Sequence, residues 1–424
     1  MMIMFRQVFS SRGHRGVVAI NTLAQLIGKF FGAGTTFILS FIIARQFGAS
    51  GFGDFVKITT FVSFFFLMAD FGLNAIYMQR TDDQALPSLF GLRIIGGVGL
   101  MLCCVAILAF LPQSASQGYT TFVRIGIIVF APAIIFQALI TSANAVFQKH
   151  LRYIDATLAV VAGSGVTLGV LLLVWISQIQ IGGAILGVIA LLSGSVATAT
   201  VSLWLAHRIT PLSVGVSMSS MGRLFTATIP LGLTLISNVV YSHADSVILA
   251  VTRSSPEVGT YGLAYKVFET LLVLPTFFMN AVYPVMLVAH ERHERFVRLV
   301  KNIAGALLVS SIVLFFIAWF CAPYFIFIKS DFLSSVIYLR VLSFSLPFFF
   351  LSSLTMWMLV TYKRQWQLAW LYGLGMLINI GLNIWFVPRF GPIASAWITV
   401  ISEGLILLGS CVMLFPLLSK TGKS

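Results

Sequence analysis

The 424 residues are 59% apolar and only 9% charged, too few charges to cover a soluble globule of that size, so the chain belongs in a bilayer. The formal charge of +14 does not point to nucleic acid, because Lys and Arg punctuate apolar runs instead of lining a polar face, and it reads as membrane topology. Cys103, Cys104, Cys321 and Cys411 lie in or beside apolar runs without metal-ligand spacing and are expected as small core residues.

Arg6, Arg12 and Arg15 precede an apolar run that continues past Ala44, longer than the roughly 7 to 15 residues of a signal-peptide core, which predicts an uncleaved first span. At about 20 mainly apolar residues per span, the sequence yields twelve: 18–44, 56–79, 86–111, 122–145, 153–177, 181–206, 224–251, 258–288, 299–327, 333–361, 366–387 and 392–416. With the N-terminus inside, the inner segments carry sixteen Lys and Arg and the outer turns six, with four left inside spans. This bias predicts N-in, C-in.

The layout after Ile229 echoes one 206 positions earlier: Ala250 answers Ala44, and the turn RSSPEVGTY, with Gly259 and Tyr261, answers FGASGFGDF, with Gly53 and Phe55. The sequence therefore predicts an all-α polytopic membrane protein of about twelve helices in two six-helix lobes related by a pseudo-two-fold axis. The lobes are expected over 1–207 and 223–424, joined by the loop-like, cytoplasmic 208–222. Pro132, Pro230, Pro275, Pro284 and Pro347 fall within spans, where kinks are expected, and Gly165 with Gly169 reads as a small-residue packing pair.

Catalysis is not expected. No glycine-rich loop ends in Gly-Lys-Ser/Thr, and the adjacent Asp82 and Asp83 read as a solvated inner loop. Ser242, His243 and Asp245 have the residue types of a hydrolytic triad, but at that spacing on a helix they point in different directions. Outer turns no longer than roughly a dozen residues leave little room for a polymerase or glycosyltransferase, so movement of something through the protein remains.

Lys29, Arg93, Lys266 and Arg340 lie inside spans, two in each half, and each costs about 2.5 to 3.5 kcal/mol at a span centre, so they must face an interior. One reading pairs them with Asp70, Asp155, Asp245, Glu269 and Glu403; Lys266 and Glu269, three apart, are the obvious helical pair, and Arg93 can snorkel to the interface. Taken as a set, they predict a water-filled basic cavity between the lobes for an anionic substrate. Asn379 and Asn383 share one helix face, as do Ser395, Thr399 and Glu403. With Asp245 they offer oxygen ligands for a small cation such as Na+, or else interhelical hydrogen bonds.

Five stretches resemble the polysaccharide transporter branch of the MOP superfamily, the Wzx-type flippases of O-antigen and other lipid-linked oligosaccharides. They are NTLAQLIGKFFGAGTTFILSFIIARQFGASGFGDF, DFGLNAIYMQR, IPLGLTLISNVVYSHADSVIL, VGTYGLAYKVFETLLVLPTFFMNAVYPVML and NIGLNIWFVPRFGPIASAWITVISE. The resemblance covers essentially the whole chain. It implies the MOP flippase fold in the bacterial inner membrane, and transfer of an undecaprenyl-diphosphate-linked glycan to the outer leaflet by alternating access, with cations lining the cavity. It also implies work beside a polysaccharide polymerase and chain-length machinery. The related lipid II flippases bind sodium between an acid on span 7, two polar residues on span 11 and positions on span 12, an arrangement that Asp245, Asn379, Asn383, Ser395 and Thr399 resemble. Asn383 is an amide where an acid is expected, so H+ linkage through Asp245 or Glu403 stands beside Na+ coupling. The alternative function is a sodium- or proton-coupled multidrug exporter of the MATE type.

Overall fold

A computed structural model of the chain describes residues 12–78, 86–112, 117–177, 182–215, 217–290 and 292–420. Arg80, Asp82 and Asp83 lie outside the described residues. Fourteen α-helices and no strand occur among those described: α1 (Arg12–Asp70), α2 (Leu73–Met78), α3 (Leu86–Ile107), α4 (Thr121–Phe130), α5 (Ala133–Lys149), α6 (Tyr153–Ser177) and α7 (Gly183–Ile209), followed by α8 (Met218–Thr252), α9 (Ser255–Ala289), α10 (His293–Cys321), α11 (Leu333–Ser343), α12 (Leu346–Thr361), α13 (Gln365–Phe390) and α14 (Pro392–Lys420). Two short 3-10 turns, Ala322–Phe327 and Ser330–Phe332, join α10 to α11.

By length and composition, the described residues hold nine spans that can cross a membrane, α4 and α5 together making one, or ten when the bent pair of the α11 region and α12 counts as a further span. That count treats α1 as a single span, yet Gly48 breaks it at φ 68°, ψ −168°. A left-handed φ of this kind suits glycine, which has no Cβ to clash with the carbonyl, and the break falls where the sequence predicts the first outer turn. Other breaks also follow local chemistry. Phe71 and Gly72, both at positive φ, separate α1 from α2, and Pro132 stands between α4 and α5. Before Pro347 the chain bends by 41°. Pro275, by contrast, lies within the continuous α9.

The chain divides into two compact units. The first holds the described residues through Ile43 together with Ile58–Leu111 and Thr121–Ile236; the second holds Ala44–Lys57, Pro112–Thr120 and the residues from Ser237 onward. In the first unit a core of Leu73, Tyr77, Leu89, Phe90, Phe147 and Leu224 forms at one end of the helices, all nearly inaccessible. There α6 and α7 approach closely at Gly163 and Gly194: a Cβ on either would overlap a threonine hydroxyl of the other helix, Thr198 or Thr167. The expected packing pair is corrected by this geometry, because nothing lies within 4 Å of a Cβ built on Gly165 or Gly169. The close face is roughly opposite the one the spacing picked out, since two residues turn a helix by about 200°.

The second unit holds both turns that echo each other in sequence, and they touch. A Cβ on Gly53 would overlap the Ser255 carbonyl oxygen, and one on Gly259 the Ala49 carbonyl oxygen. α9 starts there with a full capping box: Ser254 is the N-cap, Pro256 occupies the first turn, and Glu257 Oε2 accepts from the Ser254 N–H at 3.2 Å. Lys57, inaccessible to solvent, donates from Nζ to the carbonyls of Gly118 at 2.6 Å and Arg253 at 2.8 Å. One buried cation thereby satisfies the end of α8 and an adjoining turn.

Candidate functional site

The four in-span cations meet very different surroundings. Arg93, on α3, is sealed: its side chain is 0% accessible, and Nη2 donates to Asp70 Oδ1 at 2.8 Å and Asn74 Oδ1 at 2.7 Å. Its Nε and Nη1 have no hydrogen-bond partner among the described residues. The turn at Phe71 and Gly72 brings Asp70 and Asn74 to one guanidinium, so Arg93 pairs inward and does not snorkel. Lys266, on α9, pairs with Glu269 at 3.2 Å as the three-residue spacing predicts, but both side chains stay partly open, at 34% and 47%. Arg340, on α11, lies over the Trp319 ring at 5.0 Å with Nε 3.4 Å from the Trp319 carbonyl; it is half-buried and its hydrogen-bond contact is backbone, not carboxylate. Lys29, on α1, is exposed and lines a pocket of about 200 Å³ in the first unit.

These differences matter energetically. Breaking a buried ion pair by removing one partner typically costs about 3–5 kcal/mol, whereas a solvent-exposed pair contributes roughly 0–1 kcal/mol. Arg93 is therefore committed to its partners. Lys266 is held loosely and can exchange Glu269 for another anion.

The polar residues of the second unit form two clusters. On α13 and α14, Asn383 Nδ2 donates to Asn379 Oδ1 at 3.0 Å, Asn379 Nδ2 to Ser402 Oγ at 3.1 Å, and Ser395 Oγ to Asn383 Oδ1 at 3.2 Å. Thr399 donates back to the Ser395 carbonyl at 3.0 Å. Asp245, 4% exposed on α8, accepts from the Tyr261 hydroxyl at 2.9 Å and from the Ser246 N–H at 2.7 Å. Tyr261 also neighbours the Ser395 hydroxyl, which links the acid to the amides. Glu403 accepts from Ser352 Oγ at 2.5 Å.

A sodium ion needs open oxygen ligands. In this arrangement both asparagine Oδ1 atoms accept from neighbouring donors, and each Asp245 oxygen already holds one hydrogen bond. Among the described residues no three His, Cys, Asp or Glu side chains cluster to hold a metal. Both asparagine oxygens and Asp245 Oδ2 keep a further lone pair, so the hydrogen-bonded network can still offer oxygen ligands to a small cation. Asp155, expected as a partner for an in-span cation, instead accepts from Arg152 at 2.8 Å in the turn before α6.

Sequence reasoning gave no site role to Tyr261, Lys57, Ser352 or Trp319. Tyr261 lies sixteen positions from Asp245, a separation no helical spacing relates. Only the fold gathers three chain segments around Lys57. Gln25, Asn144 and Gln148, which join Lys29 at the pocket, did leave a signal: amides four residues from another polar side chain within apolar spans.

The profile of a polysaccharide biosynthesis protein family matches residues 18–290. No curated protein sequence matches the chain. Among solved structures, the chain is similar to the lipid II flippase MurJ in an inward closed conformation, at TM-score 0.75 and 16% identity over 93% of this chain and 87% of that one. An inward-facing multidrug resistance MATE family transporter of the MOP superfamily gives TM-score 0.75 at 14% identity, covering 95% and 99%. A MOP superfamily transporter from Pyrococcus furiosus, described as having a binding pocket of reverse polarity, gives 0.62 at 15%, covering 96% of each chain. The all-α fold is thus that of the MOP superfamily, and this multi-pass membrane protein belongs to the polysaccharide biosynthesis protein family.

Proposed function

We propose that the chain is a flippase that carries an undecaprenyl-diphosphate-linked oligosaccharide from the cytoplasmic to the outer leaflet of a bacterial inner membrane by alternating access. Membership of a polysaccharide biosynthesis family, on a fold shared with transporters, is the observation that carries this reading. Lys29, Lys266 and Arg340 are the cations that meet the diphosphate. Each is at least partly accessible, and the carboxylate that Lys266 meets is itself half open. Arg93 supports the wall through Asp70 and Asn74. Moving net negative charge outward gains about 2.3 kcal/mol per charge per 100 mV, so the membrane potential assists a diphosphate whose charge is incompletely neutralised. Asp245 with Tyr261 is the coupling pair: a buried carboxylate held by a hydroxyl supports H+ linkage, with Na+ as the other candidate.

A multidrug exporter is the second reading, favoured by the equally similar MATE fold. Cationic drugs prefer acids and aromatics, which the accessible Lys and Arg do not supply. The deciding experiment is complementation of a flippase-null strain together with analysis of the lipid-linked sugar that accumulates on the inner leaflet. Lys266→Ala and Arg340→Ala are expected to block surface polysaccharide at unchanged protein level. Normal polysaccharide in both variants, or drug resistance on expression without a glycan defect on deletion, overturns the assignment.

A further inference from the structure

The pocket beside Lys29 has a chemistry that a bare diphosphate does not need. Gln25 and Lys29, four apart on α1, face Asn144 and Gln148, four apart on α5, with Phe147 and Tyr153 among the lining residues. The side-chain amides of Gln25, Asn144 and Gln148 have no hydrogen-bond partner among the described residues. Each amide offers two donors and an acceptor, so three of them present a dense and unused set of groups that can both give and take hydrogen bonds. Such a set matches the hydroxyl and amide groups of a sugar, which are themselves both donors and acceptors. A phosphate offers acceptors only.

The walls are fixed. Thr157 on α6 donates to the Ala24 carbonyl of α1 at 2.6 Å, and a Cβ on Gly28 would stand 3.1 Å from the Thr157 hydroxyl, so the two helices meet at backbone distance next to the pocket. Phe147 is fully buried and belongs to the apolar core beneath. The volume, about 200 Å³, is below that of sites for drug-sized ligands, which run roughly 300–1,000 Å³, and admits one ring with its substituents. The pocket lies where α5 ends and α6 begins. The turn between them carries Lys149 and Arg152, which the charge bias assigns to the cytoplasm, the side on which a lipid-linked glycan is loaded.

We propose that this pocket is a carbohydrate subsite: Gln25, Asn144 and Gln148 hold the sugar next to the diphosphate, while Lys29 contacts the phosphate attached to it. The proposal rests on the flippase reading and adds to it a point of selection, by which a glycan-bearing lipid is distinguished from the sugarless carrier at loading. The lipid binds first through charge. The amides then decide whether the correct sugar is present.

The test uses the purified full-length protein in lipid nanodiscs, with undecaprenyl diphosphate and undecaprenyl diphosphate bearing one N-acetylhexosamine as probes. The wild type is expected to bind the sugar-bearing lipid about five- to tenfold more tightly, the equivalent of one or two net hydrogen bonds. In an Asn144→Leu/Gln148→Leu variant that ratio is expected to fall to about one. Gln25→Leu, on a different helix, lowers it independently should the double variant fail to fold. A wild-type ratio of one, or a ratio that survives in the folded amide variants, overturns the subsite while leaving the flippase reading standing. Binding of neither lipid by the wild type overturns the flippase reading, and the subsite with it.

Discussion

Arg93 and Lys266 bear the same charge in the same kind of span, yet they answer opposite demands. Asp70→Asn should leave the sealed Arg93 charge without its carboxylate and lower stability by about 3 kcal/mol, the lower end for a buried pair because Asp70 is partly open. Glu269→Gln should change stability by less than about 1 kcal/mol, since the Lys266 pair is loose and screened. Denaturant unfolding in detergent, followed by intrinsic fluorescence, measures both; equal losses would mean that accessibility does not separate the two roles. Lys57→Met should cost about 2 kcal/mol in the same assay, because two buried carbonyls lose their shared donor. For coupling, Asp245→Asn should abolish acceleration of lipid flipping by a pH gradient in proteoliposomes. Tyr261→Phe should weaken that acceleration and not abolish it, since the Ser246 N–H still holds the carboxylate. The Lys266–Glu269 pair was legible in the sequence because a three-residue spacing is a geometric statement. The Arg93 partners were not, because a turn of backbone at Phe71 and Gly72 decides which side chains reach the guanidinium.

At the scale of elements, the sequence marks Gly53 and Gly259 as equivalent positions in two turns, and the fold makes them a contact. A methyl group at either must displace backbone carbonyl, an obstacle that cannot rotate away as a side chain can. Gly53→Ala and Gly259→Ala should each destabilise by about 1–3 kcal/mol or more, the range for overpacking, visible as a lowered unfolding temperature. Gly165→Ala, with open space around it, should be neutral or stabilising by up to about 1 kcal/mol through helix propensity. The reverse order of these effects would show that the two turns are not in direct contact. Spacing alone favoured Gly165 and Gly169 as a packing pair. It failed because a small-residue repeat says that helices can approach but not which face another helix occupies.

At the scale of the whole molecule, the distribution of charge makes a topological claim that labelling can check. In a variant lacking Cys103, Cys104, Cys321 and Cys411, a cysteine replacing His150 should react with a membrane-impermeant maleimide only from the cytoplasmic side, and one replacing Phe327 only from outside. Reaction at the opposite faces would invert the orientation and with it the direction of transport. Composition by itself determined that this chain lives in a bilayer as a helical bundle, because 59% apolar residues with 9% charged ones leave no other solvent for it and hydrocarbon demands that helices satisfy their own backbone. The order of spans and their breaks at Gly48 and Pro132 were likewise fixed locally, by residues whose own dihedral limits bend a helix. Only the tertiary structure decided which in-span charges are sealed in pairs and which keep access to solvent, and which amides gather around Lys29, since those outcomes depend on distances between segments that sequence separation does not encode.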